Sequence, residues 1–328
     1  MTSKKLSIIM IVFLVLFCVI FGVSATLKQK ELDRLDKEHD RMVQEQMDKQ
    51  NQDTANDVST TQKNENANNA GNTTSSGNTQ VTGGVVNFSD FASMYAYAEN
   101  KLNKSTNIHT VGSGNGYLNA STSMPGISLN NEVFSLDFVR AKNSNQTYFN
   151  FHVIGNFLDG LADFDYESGF YTEGASSYYH TRGFEGSKWT AMSKQSLKDK
   201  YAWEPNKTFL NVTASAIKSS TLIYDKTKGI YTGTAELDPA VACANKKYTL
   251  QTAIESLNPC DFSLCKITVV CDKYGNFKSI RYQETFKANV YQKEFNSTMY
   301  ATMNVDYTET FVVAGNGDVQ INKPSIKL

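Results

Sequence analysis

The chain has 328 residues, of which 40% are hydrophobic, 20% are charged and 12% are aromatic, and its formal net charge is −1. A charge so close to zero provides no basic surface, which excludes nucleic acid as an expected partner. Aromatic residues are spread unevenly, because only Phe13, Phe17 and Phe21 precede residue 85. We therefore expect unlike parts rather than one uniform globule.

The first part is an apolar N-terminal segment. Lys4 and Lys5, in residues 1–5, precede an uncharged run over residues 6–27. As a helix this run would be about 33 Å long, enough to cross a bilayer core. We predict a transmembrane helix that acts as a signal anchor, in a single-pass protein of the cell membrane with a cytoplasmic N-terminus and an extracytoplasmic remainder. The alternative is a signal peptide cleaved after Ala25, which ends a run of small residues.

Two polar parts follow. Residues 28–50 alternate in charge sign and favour a charged helical stalk. Leu32, Leu35, His39 and Met42 have coiled-coil spacing, but two heptads with a His in the seam are too few, so a solvated helix is preferred over a dimerising one. Residues 51–84 are dominated by Asn, Thr, Ser and Gly, and they are predicted to be a disordered linker because they have too few apolar side chains to form a core.

The remaining 85–328 is predicted to be one β-rich extracytoplasmic domain. It opens with a helix whose apolar positions recur at helical spacing. Gly112, Gly114 and Gly116 come next, and they predict a turn or bulge rather than a phosphate loop, because no Lys-Ser or Lys-Thr follows them. The positions that predict the helix are Phe91, Tyr95, Ala98 and Leu102.

Alternation with a period of two then predicts antiparallel strands. Hairpins are expected at 225–229 and 272–276, and further helices at 193–203 and 239–257. The fold class predicted is α+β, mainly antiparallel β, with a strongly curved sheet or half-barrel and about three helices, preceded by the transmembrane helix. The clearest strand places Met299, Ala301, Met303, Val305, Tyr307, Phe311 and Val313 on one face.

Four cysteines lie beyond the apolar segment, and an even number in an exported domain favours two disulfides. Cys265 and Cys271 would lie on one strand about 20 Å apart, too far to bond. Because Pro259 favours a short loop after Cys260, the expected pairs are Cys260–Cys265 and Cys243–Cys271. Free thiols and a zinc site are the alternatives, although the spacing and the lack of a nearby His do not match the usual zinc ligands.

No catalytic residue, metal site or cofactor is predicted. His109, His152 and His180 are the histidines of the 85–328 domain, and no serine-hydrolase elbow or zinc-protease motif accompanies them. Residues 163–174 begin like a calcium loop, but the twelfth position is Gly174 instead of a bidentate Glu, so an acidic turn is preferred. Neither ligand-binding residues nor an oligomeric state can be assigned from these patterns.

Several of these elements resemble the lipoprotein-carrier (LolA-like) half-barrel superfamily of exported bacterial proteins. They are the opening helix at 89–102, the run from Tyr178 to Trp189 with the helix after it, and the hairpin at 271–280 before a long last strand. In that family the concave sheet binds lipid or acyl chains. The anchor and the four cysteines depart from the family, and they favour a tethered binder over a diffusing shuttle.

Two functions are therefore expected from the sequence. The first is a membrane-tethered binding module for a lipid-like or other apolar ligand, held in a groove of the aromatic-rich sheet. The alternative is a non-enzymatic assembly or scaffold component of a cell-envelope complex, with an envelope protein as its partner. The first predicts an apolar groove open to solvent, whereas the second predicts a filled core.

Overall fold

The structure is a computed structural model. It describes residues 80–82, 85–122, 128–157, 162–183, 186–196, 204–253, 256–292, 297–315 and 317–326. The predicted segments at 1–5, 6–27 and 28–50 lie outside the described residues, as does the predicted linker up to residue 79. The last residues of that linker differ from the prediction, because Gln80–Thr82 pairs as a strand with Val85–Asn87.

The described residues are dominated by antiparallel strands. Eleven strands form one sheet in the order β8-β7-β6-β5-β4-β3-β13-β12-β11-β10-β9, and β1 and β2 form a separate hairpin. The strands are β1 Gln80–Thr82, β2 Val85–Asn87, β3 Asn107–Thr122, β4 Ser128–Lys142, β5 Gln146–Phe157, β6 Ala162–Glu173, β7 Ser176–Gly183, β8 Gly186–Ala191, β9 Ile217–Asp225, β10 Ile230–Leu237, β11 Asp261–Asp272, β12 Phe277–Gln292 and β13 Ser297–Gly315.

Helices are a minor part of this fold. The helices are α1 Phe91–Lys104, α2 Pro239–Ala242 and α3 Lys246–Ala253, with a turn of 3-10 helix at Ala214–Ala216. The predicted helix at 239–257 is thus divided by a turn at Cys243. The predicted helix at 193–203 falls largely outside the described residues.

These elements correct the predicted fold class and localisation. The predicted α+β class was wrong, because the described chain is mainly antiparallel β with one helix of more than about two turns. Across the described ranges, none of the helices has the length and apolar character needed to cross a bilayer. The predicted transmembrane helix and single-pass membrane localisation therefore have no helix in these ranges to support them. The segment 6–27, on which they rested, is not among the described residues.

One face of the sheet, the inner face, carries the core, because apolar side chains alternate with polar ones along most strands. A single buried cluster joins Phe138 of β4 and Phe170 of β6 to Ile267 of β11 and Tyr231 of β10. Strands so far apart in the sheet order share one cluster because the sheet curves around α1, which packs against β9 to β13.

The three glycines of β3 make room for residues of the neighbouring strands. They lie within a continuous strand and not in the predicted turn. A Cβ atom on Gly112 would lie 2.1 Å from the ring of Phe138, and one on Gly116 would lie 2.1 Å from the ring of Phe134. The rings of β4 therefore lie directly over the backbone of β3, which only glycine permits.

Helix α1 begins where Asp90 caps it. The Asp90 side chain accepts a hydrogen bond from the backbone N–H of Ser93 at 2.7 Å, and the Asp90 N–H donates to the Ser93 hydroxyl. This reciprocal pair satisfies amide groups that the first helical turn leaves without partners. Phe91 and Tyr95 of the apolar helix face are buried against the inner face, and the Tyr95 and Phe277 rings are 5.5 Å apart.

Candidate functional site

Part of the inner face is covered by a lid, which we define as residues 204–216 and 239–253. Its two pieces are joined to each other, since the Asn211 N–H donates to the Ala242 carbonyl at 3.0 Å. Asp238, the residue just before the second piece, also donates its N–H to the Ala216 carbonyl at 2.7 Å. Phe209 of the lid lies edge-on to Phe138 of β4, with ring centroids 5.3 Å apart. The lid is thus a set of short segments laid on the sheet rather than a second sheet.

A buried arginine holds the first piece of the lid. Arg140 of β4 donates to the backbone carbonyls of Pro205 at 3.1 Å and Lys207 at 2.6 Å. Its guanidinium also pairs with the Glu309 carboxylate of β13, and both residues are 0% exposed. Thr110 of β3 lies between them, donating to Glu309 at 2.7 Å and accepting from the Arg140 Nε at 3.1 Å.

This buried ion pair is fully hydrogen-bonded. Arg140 bonds the carboxylate, a hydroxyl and two carbonyls, and Glu309 also accepts a hydrogen bond from the hydroxyl of Tyr282 at 3.4 Å. Removing a charged group from water costs on the order of several kcal/mol unless hydrogen-bonding groups of the protein replace the solvent, as they do here. Burial, with the nearby Glu309 carboxylate as a further cause, raises the pKa of the Tyr282 hydroxyl well above its usual 10.0, so it remains a donor.

A second ion pair holds the α3 piece of the lid. The Lys246 Nζ lies 2.6 Å from each carboxylate oxygen of Glu284 in β12 and 3.3 Å from the hydroxyl of Tyr307 in β13. Glu284 is buried, whereas the Lys246 side chain keeps 20% exposure. Burial first, and then the neighbouring carboxylates, raises the pKa of Tyr307 well above 10.0. We call the Arg140 and Lys246 groups the two latches.

Beyond the Lys246 latch lies a second apolar cluster on the same face. Its inner-face side chains are mostly small or flexible, including Ala120, Ala301 and Met303. Leu250 of α3 packs on it, and the Ser256 hydroxyl ties the following segment to the Asn289 carbonyl at 3.1 Å. The full buried cluster consists of Leu118, Ala120, Leu129, Cys260, Phe286, Ala288, Val290, Met299, Ala301 and Met303.

The four cysteines that were predicted to form disulfides are all buried, and they are free thiols in this structure. The Cys243 and Cys265 sulfur atoms are 3.7 Å apart. Cys260 immediately precedes β11 and Cys271 lies near its end.

The predicted pairings do not fit this geometry. The chain from Cys260 to Cys265 is extended rather than looped, which separates the two residues by about 15 Å at the usual rise of a strand. Cys271 is about 20 Å along β11 from Cys265, so Cys243 cannot contact both. Disulfide bonding of these four residues stays a prediction, but the pairs Cys260–Cys265 and Cys243–Cys271 are corrected.

Two of the three histidines have side-chain contacts on β5 and β7. His152 of β5 bridges two carboxylates on the outer face, with Asp165 at 2.8 Å and Asp137 at 3.3 Å. His180 of β7 packs on Trp189, with ring centroids 4.3 Å apart, and contacts Asn150. The residues described contain no cluster of three metal-ligating side chains. The predicted acidic turn at 163–174 is instead part of β6, which runs Ala162–Glu173.

Two of the surface depressions formed by the described residues lie outside the lid. One of about 390 Å³ is formed by the β6–β7 turn and the end of β8, from Ala175 to Tyr178 and Ala191 to Ser193. The other, of about 460 Å³, lies beside Val133 of β4 and Ile154 of β5. Most inner-face side chains of the described strands belong to the two buried clusters, so this face is packed where the structure describes it.

The sequence-based search missed both latches. Arg140 has the same strand parity as Leu136 and Phe138, and Glu309 has the same parity as Tyr307 and Phe311. A charged residue on an otherwise apolar strand face must find a buried partner, so parity was the signal that could have identified the pair. Backbone carbonyls as the other partners carry no sequence signal.

Comparison with known proteins provides no family for this chain. No family model matches it, and no curated protein matches it. Among solved structures, the attachment invasion locus protein Ail of Yersinia pestis, in complex with the heparin analogue sucrose octasulfate, has 8% identity and a TM-score of 0.18, covering 62% of this chain and 98% of its own. The outer membrane protein OprG of Pseudomonas aeruginosa has 9% identity and a TM-score of 0.11, covering 65% and 99%. These scores are too low to support an inference about fold or function.

Proposed function

We propose that this protein is a binding module that takes an apolar, lipid-like ligand between the inner face of its sheet and the lid. The observation that carries the proposal is the arrangement of the latches. The lid is held on an apolar face by Arg140 and Lys246, through hydrogen bonds and ion pairs that have water as an alternative partner.

Opening such a lid would leave the sheet intact. The eleven strands of the sheet, from β8 at one edge to β9 at the other, are paired with each other, and none of these ladder hydrogen bonds involves the lid. Breaking the latches would expose the carbonyls of Pro205 and Lys207 together with the charges of Arg140 and Glu309. Water would then satisfy these groups, so the cost of opening is smaller than that of leaving them buried and unpaired.

The second cluster suits an apolar ligand of variable shape. Methionine side chains adapt to irregular neighbours, and Met299 and Met303 line this cluster. Ala288 and Ala301 lie opposite each other on β12 and β13. Their small side chains leave more room above the sheet at this position than larger side chains would. The resemblance to lipid-binding half-barrels supports the same ligand class.

The test is binding of an apolar fluorescent probe, 1-anilinonaphthalene-8-sulfonate, and of palmitate as its competitor. The proposal predicts saturable binding to the folded protein and displacement by palmitate. Ala301→Phe would fill the cluster and should weaken binding at least tenfold. Thr302→Phe, one residue along on the outer face, is the matched control and should leave binding unchanged.

Two results would contradict the proposal. One is the absence of saturable binding to wild-type protein that circular dichroism shows to be folded. The other is an equal effect of Ala301→Phe and Thr302→Phe. Should Ala301→Phe fail to fold, Ala288→Leu tests the same cluster with a smaller added volume.

A scaffold or assembly role is the second candidate, and the packed inner face favours it. The outer face adds support through Tyr117 of β3, which lies opposite Val133 of β4, and these side chains are 50% and 51% exposed. Ile154 of β5 is also exposed nearby. Absence of apolar binding together with specific cross-linking of a photoreactive residue at position 133 to another protein would favour this role.

A further inference from the structure

The lid is fastened to the sheet at a point where two thiols meet. Cys243 ends α2 and occupies the turn that leads into α3, and its sulfur lies 3.7 Å from that of Cys265 in β11. Cys265 is directly opposite Glu284 of β12, and Glu284 binds Lys246, three residues after Cys243. A thiol pair and a latch therefore hold the same part of the lid.

The geometry singles out this pair among the described cysteines. A disulfide needs sulfur atoms about 2.05 Å apart, so the two sulfurs would have to approach by about 1.7 Å. Cys243 has the non-helical backbone angles φ −103° and ψ 15° and lies in the turn between two short helices, where a small shift breaks no strand ladder. Cys260 and Cys271 are separated from Cys265 by extended strand on either side.

We infer that Cys243 and Cys265 form a reversible disulfide that locks the α2–α3 part of the lid onto β11. The oxidant is a small-molecule disulfide such as oxidised glutathione. One cysteine thiolate attacks it, forming a mixed disulfide and releasing one glutathione. The second cysteine then attacks the protein sulfur of the mixed disulfide and releases the other glutathione. The protein thiols lose two hydrogens and two electrons in total, and two reduced glutathione molecules carry them away.

Burial decides when this reaction can occur. Both sulfurs are buried beneath the closed lid. The contact with Cys243 and the burial of the site raise the pKa of the Cys265 thiol, so the attacking thiolate is scarce in the closed state. The bond therefore forms during folding or when the lid opens. This inference does not depend on which ligand, if any, the lid covers.

The experiment maps the disulfide in the full chain with Cys18→Ser, which removes the one other thiol of the sequence. Reduced protein is incubated with oxidised and reduced glutathione, alkylated in denaturant and digested with trypsin and Asp-N. Asp-N is needed because Cys260 and Cys265 share the tryptic peptide 248–266, and cleavage before Asp261 separates them. We expect most molecules to carry the Cys243–Cys265 link, with Cys260 and Cys271 alkylated.

Matched variants decide the outcome. Cys243→Ser and Cys265→Ser should each abolish the link, whereas Cys260→Ser and Cys271→Ser should leave it. In the oxidised protein, hydrogen exchange of the α3 amides should slow at least tenfold, and reduction should reverse the change. The inference is overturned if all four cysteines remain alkylatable after refolding with oxidised glutathione, or if Cys260–Cys265 or Cys243–Cys271 is the main link.

Discussion

The largest loss of stability that we predict comes from breaking the buried ion pair between Arg140 and Glu309. Arg140→Met keeps an apolar stem of similar length but leaves the Glu309 carboxylate, at 0% exposure, with only the hydroxyls of Thr110 and Tyr282 as donors. Breaking a buried ion pair from one side costs about 3–5 kcal/mol. The carbonyls of Pro205 and Lys207 would each lose a donor. Because they are only partly buried, each loss lowers the free energy of unfolding by a further roughly 0.5–1 kcal/mol. We expect a loss of about 4–7 kcal/mol in the free energy of unfolding, by addition of the ion-pair contribution and of two carbonyl contributions.

An exposed ion pair provides the control. Arg281 of β12 and Asp306 of β13 are joined through two hydrogen bonds of 2.7 and 2.5 Å, but their side chains are 51% and 43% exposed. Arg281→Met should therefore cost less than about 1 kcal/mol. Both variants remove an arginine from a carboxylate, so the difference between them reports the burial of Arg140 together with its contacts to the lid.

The assay is urea unfolding followed by circular dichroism, with the double variant Arg140→Met/Glu309→Leu completing a cycle. Because the double variant leaves no buried charge, it should be less destabilised than the sum of the two single variants by about 2–3 kcal/mol. The reasoning is refuted if Arg140→Met costs less than about 1 kcal/mol or if the two single effects add.

Three further predictions concern the strand glycines, a buried acid and the lid. Gly114→Ala should destabilise by about 1–3 kcal/mol or more, because a Cβ there would meet backbone atoms of β13 at 2.2 and 2.5 Å, whereas Ser113→Ala should change urea unfolding by less than about 0.5 kcal/mol. Burial raises the pKa of Glu99 from 4.5, so stability should fall as the pH rises from 4.5 through the folded pKa. Glu99→Gln should remove that dependence, and an unchanged profile would contradict the assignment. Oxidation of Cys243 and Cys265, 22 residues apart, should raise the free energy of unfolding by about 3 kcal/mol, and a Cys265→Ser variant should show no gain.

Periodicity predicted the sheet better than it predicted the helices. The hairpins at 225–229 and 272–276 are confirmed, with β9 pairing β10 and β11 pairing β12 around them. Both contain an Asp whose side chain accepts hydrogen bonds from turn amides and a glycine with positive φ, which are local properties. The strands themselves followed from alternation, because most inner-face positions are apolar and are buried in one core.

Non-local contacts account for what the sequence did not reveal. The glycines of β3 suggested a turn because their use, making room for the rings of Phe134 and Phe138, depends on the neighbouring strand. The pairing of Cys260 with Cys265 failed because β11 begins at Asp261 and keeps the chain between them extended. Likewise, nothing near Arg140 in the sequence indicates that a segment 65 residues later supplies its carbonyl partners.

The chemistry of the latches bears on whether the lid opens. An apolar pair of similar volume is often as stable as a buried ion pair, or more stable, so closure alone would not require Arg140 and Glu309. The apolar pair and the ion pair differ in the cost of exposing them to water when the lid is open. Exposed apolar side chains would lose about 25 cal/mol for each Å² returned to water, whereas the guanidinium, the carboxylate and the two carbonyls of 205 and 207 regain hydration. A charged latch thus lowers the cost of opening relative to an apolar one, which suits a lid that moves better than a permanently closed core.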